Sequence, residues 1–194
     1  MIQKGTIILA SSSPRRKELL AQIGLNFKVI KSNYKESLYF NSNPYNYVKD
    51  LARNKAQEVA NLNYNSLVVG ADTIIFFKNK VFGKPKTANQ AFITLQKLSG
   101  KTHRVITGVS LLHLEREIDI NFYQSTEVTM KKLKEDEIEY YINNYNVLDK
   151  AGSYGVQGYF AIHIKEIKGC YFNIMGLPLS LFYSYYKSIQ KKLS

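Results

Sequence analysis

Five stretches of the chain show the apolar pattern of buried or half-buried β-strands. Residues 6–10 and 67–77 are apolar runs, although residues 70–73 interrupt the second one with glycine and polar side chains. The other predicted strands are residues 104–114, 118–130 and 160–167. Because only the charged residues 115–117 separate two of these strands, we expect a hairpin there.

Apolar residues spaced three and four apart predict five helices. These are residues 13–24, 43–59, 87–98, 134–145 and 177–189. Two of them begin with an N-cap residue before proline, as Ser13-Pro14 and Asn43-Pro44, and Thr87 with Gln90 matches a capping box. Helices that alternate with strands predict an α/β fold, and the hairpin makes the sheet mixed. No repeat or linker divides the chain, so we expect one domain over residues 1–194.

The composition is that of a globular protein. Of the 194 residues 45% are hydrophobic, and no run approaches the roughly 20 apolar residues of a membrane helix. We expect no signal peptide, because the apolar run near the N-terminus is too short for one. A single cysteine, Cys170, provides no internal disulfide. We therefore expect a soluble, cytoplasmic protein without a membrane partner.

The formal net charge of +12 favours polyanionic partners such as nucleotides or nucleic acids. Lysines are spread along the whole chain, however, and only residues 185–192 form a local basic and aromatic patch. Because such runs are usually solvated helix faces, we do not expect specific nucleic-acid binding.

Residues 11–16, Ser-Ser-Ser-Pro-Arg-Arg, lie between a predicted strand and a helix start. A helix N-terminus presents unpaired N–H groups and attracts anions. The hydroxyls of Ser11 and Ser13 with the guanidinium groups of Arg15 and Arg16 therefore suit a phosphate. The alternative is an ordinary N-cap followed by two exposed arginines.

Asp72 stands inside an otherwise apolar strand. A buried carboxylate is costly without a partner, so a metal, a cation or a substrate could use it. The alternative is a strand end at which backbone N–H groups bind the carboxylate. Thr73 adds a hydroxyl beside it.

Two lysines are further phosphate candidates. Lys55 falls on the apolar stripe of its predicted helix, and Lys84 lies in a rigid Gly-Lys-Pro loop. A lysine on such a stripe can also extend to solvent, which is the alternative for Lys55. The common phosphate-binding loops are absent from the sequence. We interpret His103, His113 and His163, which lie in strand-like runs, as structural.

These features resemble the Maf (septum formation inhibitor) family in order and spacing. The matching blocks are Ser11-x-Ser-Pro-Arg-Arg16, Lys55-Ala56, Gly70-Ala-Asp-Thr73, Lys84-Pro85, Leu98-Ser-Gly-x-x-His103, Asp149-Lys-Ala-Gly-x-Tyr-Gly-x-Gln-Gly158 and Gly176-Leu-Pro-Leu179. They span nearly the whole chain.

The resemblance implies a two-lobed α/β fold with a long mixed central sheet flanked by helices, similar to inosine triphosphate pyrophosphatases. It also implies an enzyme that uses a divalent metal, Mg²⁺ or Mn²⁺, to release pyrophosphate from nucleoside triphosphates. Members of the family often form homodimers and are linked to septation arrest. Arg15, Thr73 and Gln157 match the branch that acts on dTTP and UTP.

The resemblance also implies the roles of the site residues. Asp72 would be the general base and, with Glu36, a metal ligand, although coordination lowers the basicity of a carboxylate. Thr73 and Gln157 would read the base, since an amide can pair with the polar edge of a pyrimidine. The phosphates would be bound by Ser11, Ser13, Arg15, Arg16, Lys55 and Lys84. One departure is that residues 33–36 read Asn-Tyr-Lys-Glu where relatives have an acidic cluster, so only Glu36 remains.

Two other functions fit some of these observations. A basic protein that binds nucleic acid or a partner and regulates division would explain the charge but not a carboxylate within an apolar strand. Another phosphate-cleaving hydrolase, such as a phosphatase, would release orthophosphate instead of pyrophosphate.

Overall fold

A computed structural model describes residues 5–35 and 43–193. Its helices are α1 (Pro14–Gln22), α2 (Pro44–Ala60), α3 (Ala88–Leu98), α4 (Glu135–Asn144), α5 (Tyr171–Met175) and α6 (Leu179–Ile189). Its strands are β1 (Ile7–Leu9), β2 (Phe27–Val29), β3 (Leu67–Phe77), β4 (Lys80–Phe82), β5 (Thr102–His113), β6 (Ile118–Met130) and β7 (Ile164–Lys168). None of the helices in these ranges is both long and apolar enough to cross a lipid bilayer.

The strands of the described chain form one mixed sheet in the order β2-β1-β3-β5-β6-β7, with β4 paired to β3. β1 pairs in parallel with β2 and with β3. β4 and β7 are antiparallel to their neighbours β3 and β6. β5 and β6 are adjacent in the sheet, as the predicted hairpin requires. The α/β fold with a mixed central sheet is therefore confirmed.

The helix starts follow the predicted capping chemistry in two of three cases. The Asn43 side chain accepts hydrogen bonds from the backbone N–H groups of Tyr45 and Asn46, at 3.0 and 3.2 Å. Thr87 accepts from the N–H of Gln90, whereas the Gln90 side chain accepts from the N–H of Lys86, one residue before the N-cap of the predicted capping box. Ser13 occupies the N-cap position of α1, but its side chain makes no capping hydrogen bond.

The prediction of a strand over residues 160–167 is wrong in its first half. Tyr159–His163 form a 3₁₀ helix, and β7 begins only at Ile164. Phe160 and His163 are both buried, and their spacing of three residues puts them on one face of a 3₁₀ helix, whereas a strand would place them on opposite faces. Because His163 lies in this turn, its predicted place in a strand is also corrected.

The described residues pack into two compact units. The first unit holds the described residues of Met1–Asp72, Thr107–Gln124 and Gly176–Ser194, and the second holds Thr73–Ile106 and Ser125–Met175. The two units agree with the two-lobed fold that the resemblance implies, whereas one domain over residues 1–194 stays a prediction.

The first unit has an aliphatic core between α2 and the sheet. Its members are small and medium aliphatic side chains: Ile8, Ala10, Ala56, Val59, Ala60, Val68 and Leu112. The aromatic residues of the predicted basic patch also belong to the first unit. Tyr186 is fully buried, and Tyr185 stacks on Phe122 at 4.3 Å between ring centroids. These two rings therefore stabilise the protein interior.

In the second unit α3 contacts α4 and the 3₁₀ turn Ala151–Ser153. The N–H of Gly152 donates to the carbonyl of Gly83 at 2.9 Å. Gly152 has φ +64°, and a Cβ there would lie 2.1 Å from Cδ1 of Ile75. A side chain at this position would strain the backbone and force Ile75 to shift, so glycine suits it best. The turn is therefore tightly held against β3 and the residues that follow β4.

Candidate active site

Asp72 and Lys55 form a buried ion pair in the first unit. The ammonium nitrogen of Lys55 lies 2.5 Å from Oδ1 of Asp72. Asp72 is 8% exposed, and the Lys55 side chain is also largely buried, at 15% exposure. The cation offsets the cost of holding a carboxylate within β3. Lys55 thus points to Asp72 instead of extending to solvent, and the structure brings these two predicted residues together.

Two glycines allow α2 to lie directly on the sheet at this point. A Cβ on Gly70 would lie 2.2 Å from the backbone oxygen of Ala52, and one on Gly108 would lie 2.3 Å from that of Val48. Both distances are far below van der Waals contact, so only glycine fits. Since Lys55 follows Ala52 by one helical turn, this close packing sets the position of its side chain relative to Asp72.

Arg16, at the start of α1, is buried and binds protein atoms. Its Nε donates to the carbonyl of Gly176 at 2.8 Å, and Nη1 donates to Oγ of Ser11 at 3.0 Å. Ser11 also accepts from the N–H of Ser13 at 3.3 Å. Arg16 therefore orders the predicted phosphate cradle and joins it to the turn at Gly176. Gly176 was expected only as part of a block that matches the family, and its contact with Arg16, 160 positions away, was not predicted.

The remaining predicted site residues differ in exposure. Arg15 in the first unit and Thr73 in the second are half-buried. Lys84 and Gln157, both in the second unit, are exposed. Lys84 lines an open groove with polar residues of α3, namely Gln90, Thr94 and Lys97. The roles of these residues stay predictions.

Glu36, the predicted second metal ligand, lies outside the described residues. Within residues 5–35 and 43–193, no group of three or more His, Cys, Asp or Glu side chains is arranged to hold a metal ion. The segment before Glu36 is nevertheless attached to α2. Ser32 donates to the carboxylate of Glu58, and the Asn54 amide donates to the Tyr34 hydroxyl at 3.0 Å.

The three histidines are buried, as expected of structural residues. Burial lowers the pKa of all three, and that of His103 falls to about 4. His103 lies in the second unit, where its Nε2 is 2.6 Å from the hydroxyl of Tyr154. Burial raises the pKa of Tyr154, so both rings are neutral at neutral pH. The sequence analysis did not identify this pair.

The fold is similar to that of a protein whose structure has been solved. The Ham1 protein of Staphylococcus aureus aligns with a TM-score of 0.53 and 11% sequence identity, over 94% of this chain and 98% of that chain. At this identity the likeness shows the fold alone.

Sequence comparison is more specific. The family described as Maf-like protein matches residues 6–189. The dTTP/UTP pyrophosphatase of Agathobacter rectalis is 47% identical over 193 residues, which cover 91% of this chain and 94% of that protein. The dTTP/UTP pyrophosphatase of Bacillus cytotoxicus is 47% identical over 173 residues, which cover 89% of this chain and 90% of that protein. This chain belongs to the Maf family.

Proposed function

We propose that this chain hydrolyses dTTP and UTP to the nucleoside monophosphate and pyrophosphate. Relatives that are 47% identical over about nine tenths of the chain carry the name dTTP/UTP pyrophosphatase. The observation that carries the proposal is the buried pair of Asp72 and Lys55, at 2.5 Å. Lys55 offsets the cost of this buried carboxylate, and a carboxylate held beside a cation combines the proton acceptor and the positive charge that cleavage of a phosphate anhydride needs.

The reaction requires a water molecule to attack the α-phosphorus while the bond to the oxygen bridging the α- and β-phosphates breaks. Asp72 would take the proton of that water, and pyrophosphate would leave with the bridging oxygen. The cations at Arg15, Lys55 and Lys84 would balance the growing negative charge. Arg16 would contribute mainly by holding Ser11 in place, because two of its nitrogens already bind protein oxygens.

A divalent cation fits the donor chemistry of Asp72, since carboxylate oxygens are the ligands that Mg²⁺ and Mn²⁺ prefer. Asp72 and Glu36 would hold it. The metal would supply charge neutralisation for the phosphates. Lys55 occupies the Oδ1 side of Asp72, so its ammonium and the metal would share one carboxylate.

The proposal is tested by measuring pyrophosphate and orthophosphate separately over a panel of eight nucleoside triphosphates, with Mg²⁺, Mn²⁺ or a chelator. We expect pyrophosphate from dTTP and UTP above all others, and none with chelator. Orthophosphate as the first product would indicate a phosphatase. No product from any nucleotide, together with salt-dependent retardation of RNA or DNA in a gel, would favour the binding protein.

Gln157 is expected to read the base, and Gln157→Glu tests this role. A carboxylate near O4 of the pyrimidine cannot donate a hydrogen bond and repels that oxygen. We expect kcat/KM for dTTP and UTP to fall by about tenfold or more. The matched control is Gln96→Glu, which makes the same change on the exposed surface of α3 and should leave both values unaltered. An unchanged preference profile in Gln157→Glu would remove Gln157 from base recognition.

A cytoplasmic location stays a prediction from the composition, and a homodimer and a link to septation stay predictions of the family resemblance.

A further inference from the structure

Two buried polar rings hydrogen-bond to each other in the second unit, close in sequence to Gln157. His103 is 2% exposed and Tyr154 is 4% exposed. His103 Nε2 and the Tyr154 hydroxyl are 2.6 Å apart, and the rings meet edge to face at 83°. Nδ1 of His103 has no hydrogen-bond partner among the described residues. Within the part of the chain that the structure describes, the Tyr154 hydroxyl is therefore the hydrogen-bond partner that holds this imidazole.

The backbone before Gln157 is restrained on several sides. Gly152 is held by the carbonyl of Gly83, as described above. Ser153 is fully buried and has φ +71°, an uncommon conformation for a residue other than glycine. A Cβ on Gly155 would lie 3.2 Å from the side chain of Lys150, so the aliphatic part of the Lys150 side chain packs on the backbone at Gly155. Such restraints persist only where the surrounding structure supports them.

The segment is anchored again after Gln157. Phe160 is 1% exposed and contacts Tyr154 with 5.0 Å between ring centroids. Phe160 also packs on Tyr141 of α4, at 4.7 Å. Residues 154–160 therefore form a loop whose two ends meet in the core, while Gln157 between them is exposed.

The edge-to-face contact and the short hydrogen bond together define one orientation for Tyr154. Without the hydroxyl, a phenyl ring of nearly the same size could turn or tilt in its site, and the backbone of the loop would gain freedom. An amide distinguishes thymine from cytosine only if it is held in one orientation at hydrogen-bond distance from the base, because the same amide turned over matches the other base. The buried pair restricts that movement.

We propose that Tyr154, held by His103, is a positioning residue for base selection that fixes the loop carrying Gln157. The proposal rests on the proposed function, because it takes Gln157 as the residue that reads the base. It assigns the pair no part in the reaction at the α-phosphorus. A change in the pair should therefore alter KM and base preference, and leave kcat nearly constant.

The test compares the unaltered chain with Tyr154→Phe, which keeps the buried ring and removes only the hydroxyl. We expect KM for dTTP to rise about tenfold, kcat to change less than about twofold, and the preference for dTTP over dCTP to fall about tenfold. His103→Gln is expected to give the same shift. If the residues act as a unit, the double variant should be no worse than either single variant.

Thr126→Val is the matched control for a general loss of stability. Thr126 is a buried hydroxyl in the same unit that bonds to Cys170 and Asn173 instead of the loop. We expect this control to lower Tm without changing base preference. If Tyr154→Phe lowers Tm in the same way and its preference for dTTP over dCTP is unaltered, the pair is merely structural and the proposal is overturned.

Binding of α,β-imido analogues of dTTP and dCTP, measured by calorimetry, separates this proposal from the proposed function. If the unaltered chain releases no pyrophosphate but binds the dTTP analogue more tightly, the proposed function fails. In that case a reduced binding preference in Tyr154→Phe and in His103→Gln still supports the positioning role. Equal binding of both analogues by the unaltered chain overturns it.

Discussion

The Asp72→Asn variant is expected to release pyrophosphate from dTTP at about one hundredth of the unaltered rate or less. The amide has nearly the same size as the carboxylate, but it cannot take a proton from water and is a poor ligand for a divalent cation. Lys55 would also lose the carboxylate that lies 2.5 Å from its nitrogen. The measurement is kcat for dTTP with Mg²⁺, with thermal unfolding recorded for the same samples.

Asp119→Asn is the matched control for this substitution. Asp119 also belongs to the first unit and also pairs with a cation, Arg53, at 2.6 Å, but both side chains of that pair are about two fifths exposed. We expect its removal to leave turnover unchanged, since exposed ion pairs contribute little. If Asp72→Asn is folded and turns over dTTP at a near-normal rate, Asp72 takes no part in the chemistry.

The Gly70→Ala variant is expected to destabilise the protein by about 3 kcal/mol, which corresponds to a Tm lower by roughly 6–12 °C. Its Cβ would lie 2.2 Å from the oxygen of Ala52 and 2.9 Å from the backbone nitrogen of Ala56, so α2 must move away from β3. Lys55 lies between these two alanines. We therefore expect turnover on dTTP to fall as well, even below the unfolding temperature.

Gly83→Ala is the control for the glycine substitution, because a Cβ there meets no atom within 4 Å. We expect its free energy of unfolding to stay within about 0.5 kcal/mol of the unaltered value. Comparable Tm values for the two variants would contradict the claim that α2 lies against the backbone of β3. Chemical denaturation at 25 °C gives an independent measure of the same difference.

Elements with strong local signals were predictable from the sequence. Asn43 caps α2, Thr87 caps α3, and the long apolar run at residues 67–77 is the strand β3. The strands β2 and β4 were missed, since each has three residues of mixed polarity, whereas the equally short β1 is a continuous apolar run. Their strand character depends on pairing with β1 and β3 instead of on their own side chains.

The candidate site was predicted as a set of residue types, not as a set of contacts. The carboxylate of Asp72 was conspicuous because a charged group in an apolar strand needs a partner, and Lys55 because it lies on an apolar helix stripe. The ion pair between these two residues forms only because α2 packs on β3, and the sequence does not show that packing. The pair of His103 and Tyr154 gave no such signal, because either ring is ordinary in a protein core.

The order of apolar and polar residues, the capping residues and the spaced motifs determined the α/β class, most helices and strands, and the family. These properties depend on interactions between residues close in sequence, or on a pattern that the chain carries in its own order. Only the tertiary structure decided that Lys55 binds Asp72, that Arg16 binds Ser11 and Gly176, and that Tyr154 binds His103. Each of these contacts except Arg16–Ser11 joins residues at least 17 positions apart, so it forms only once helices and strands have packed together.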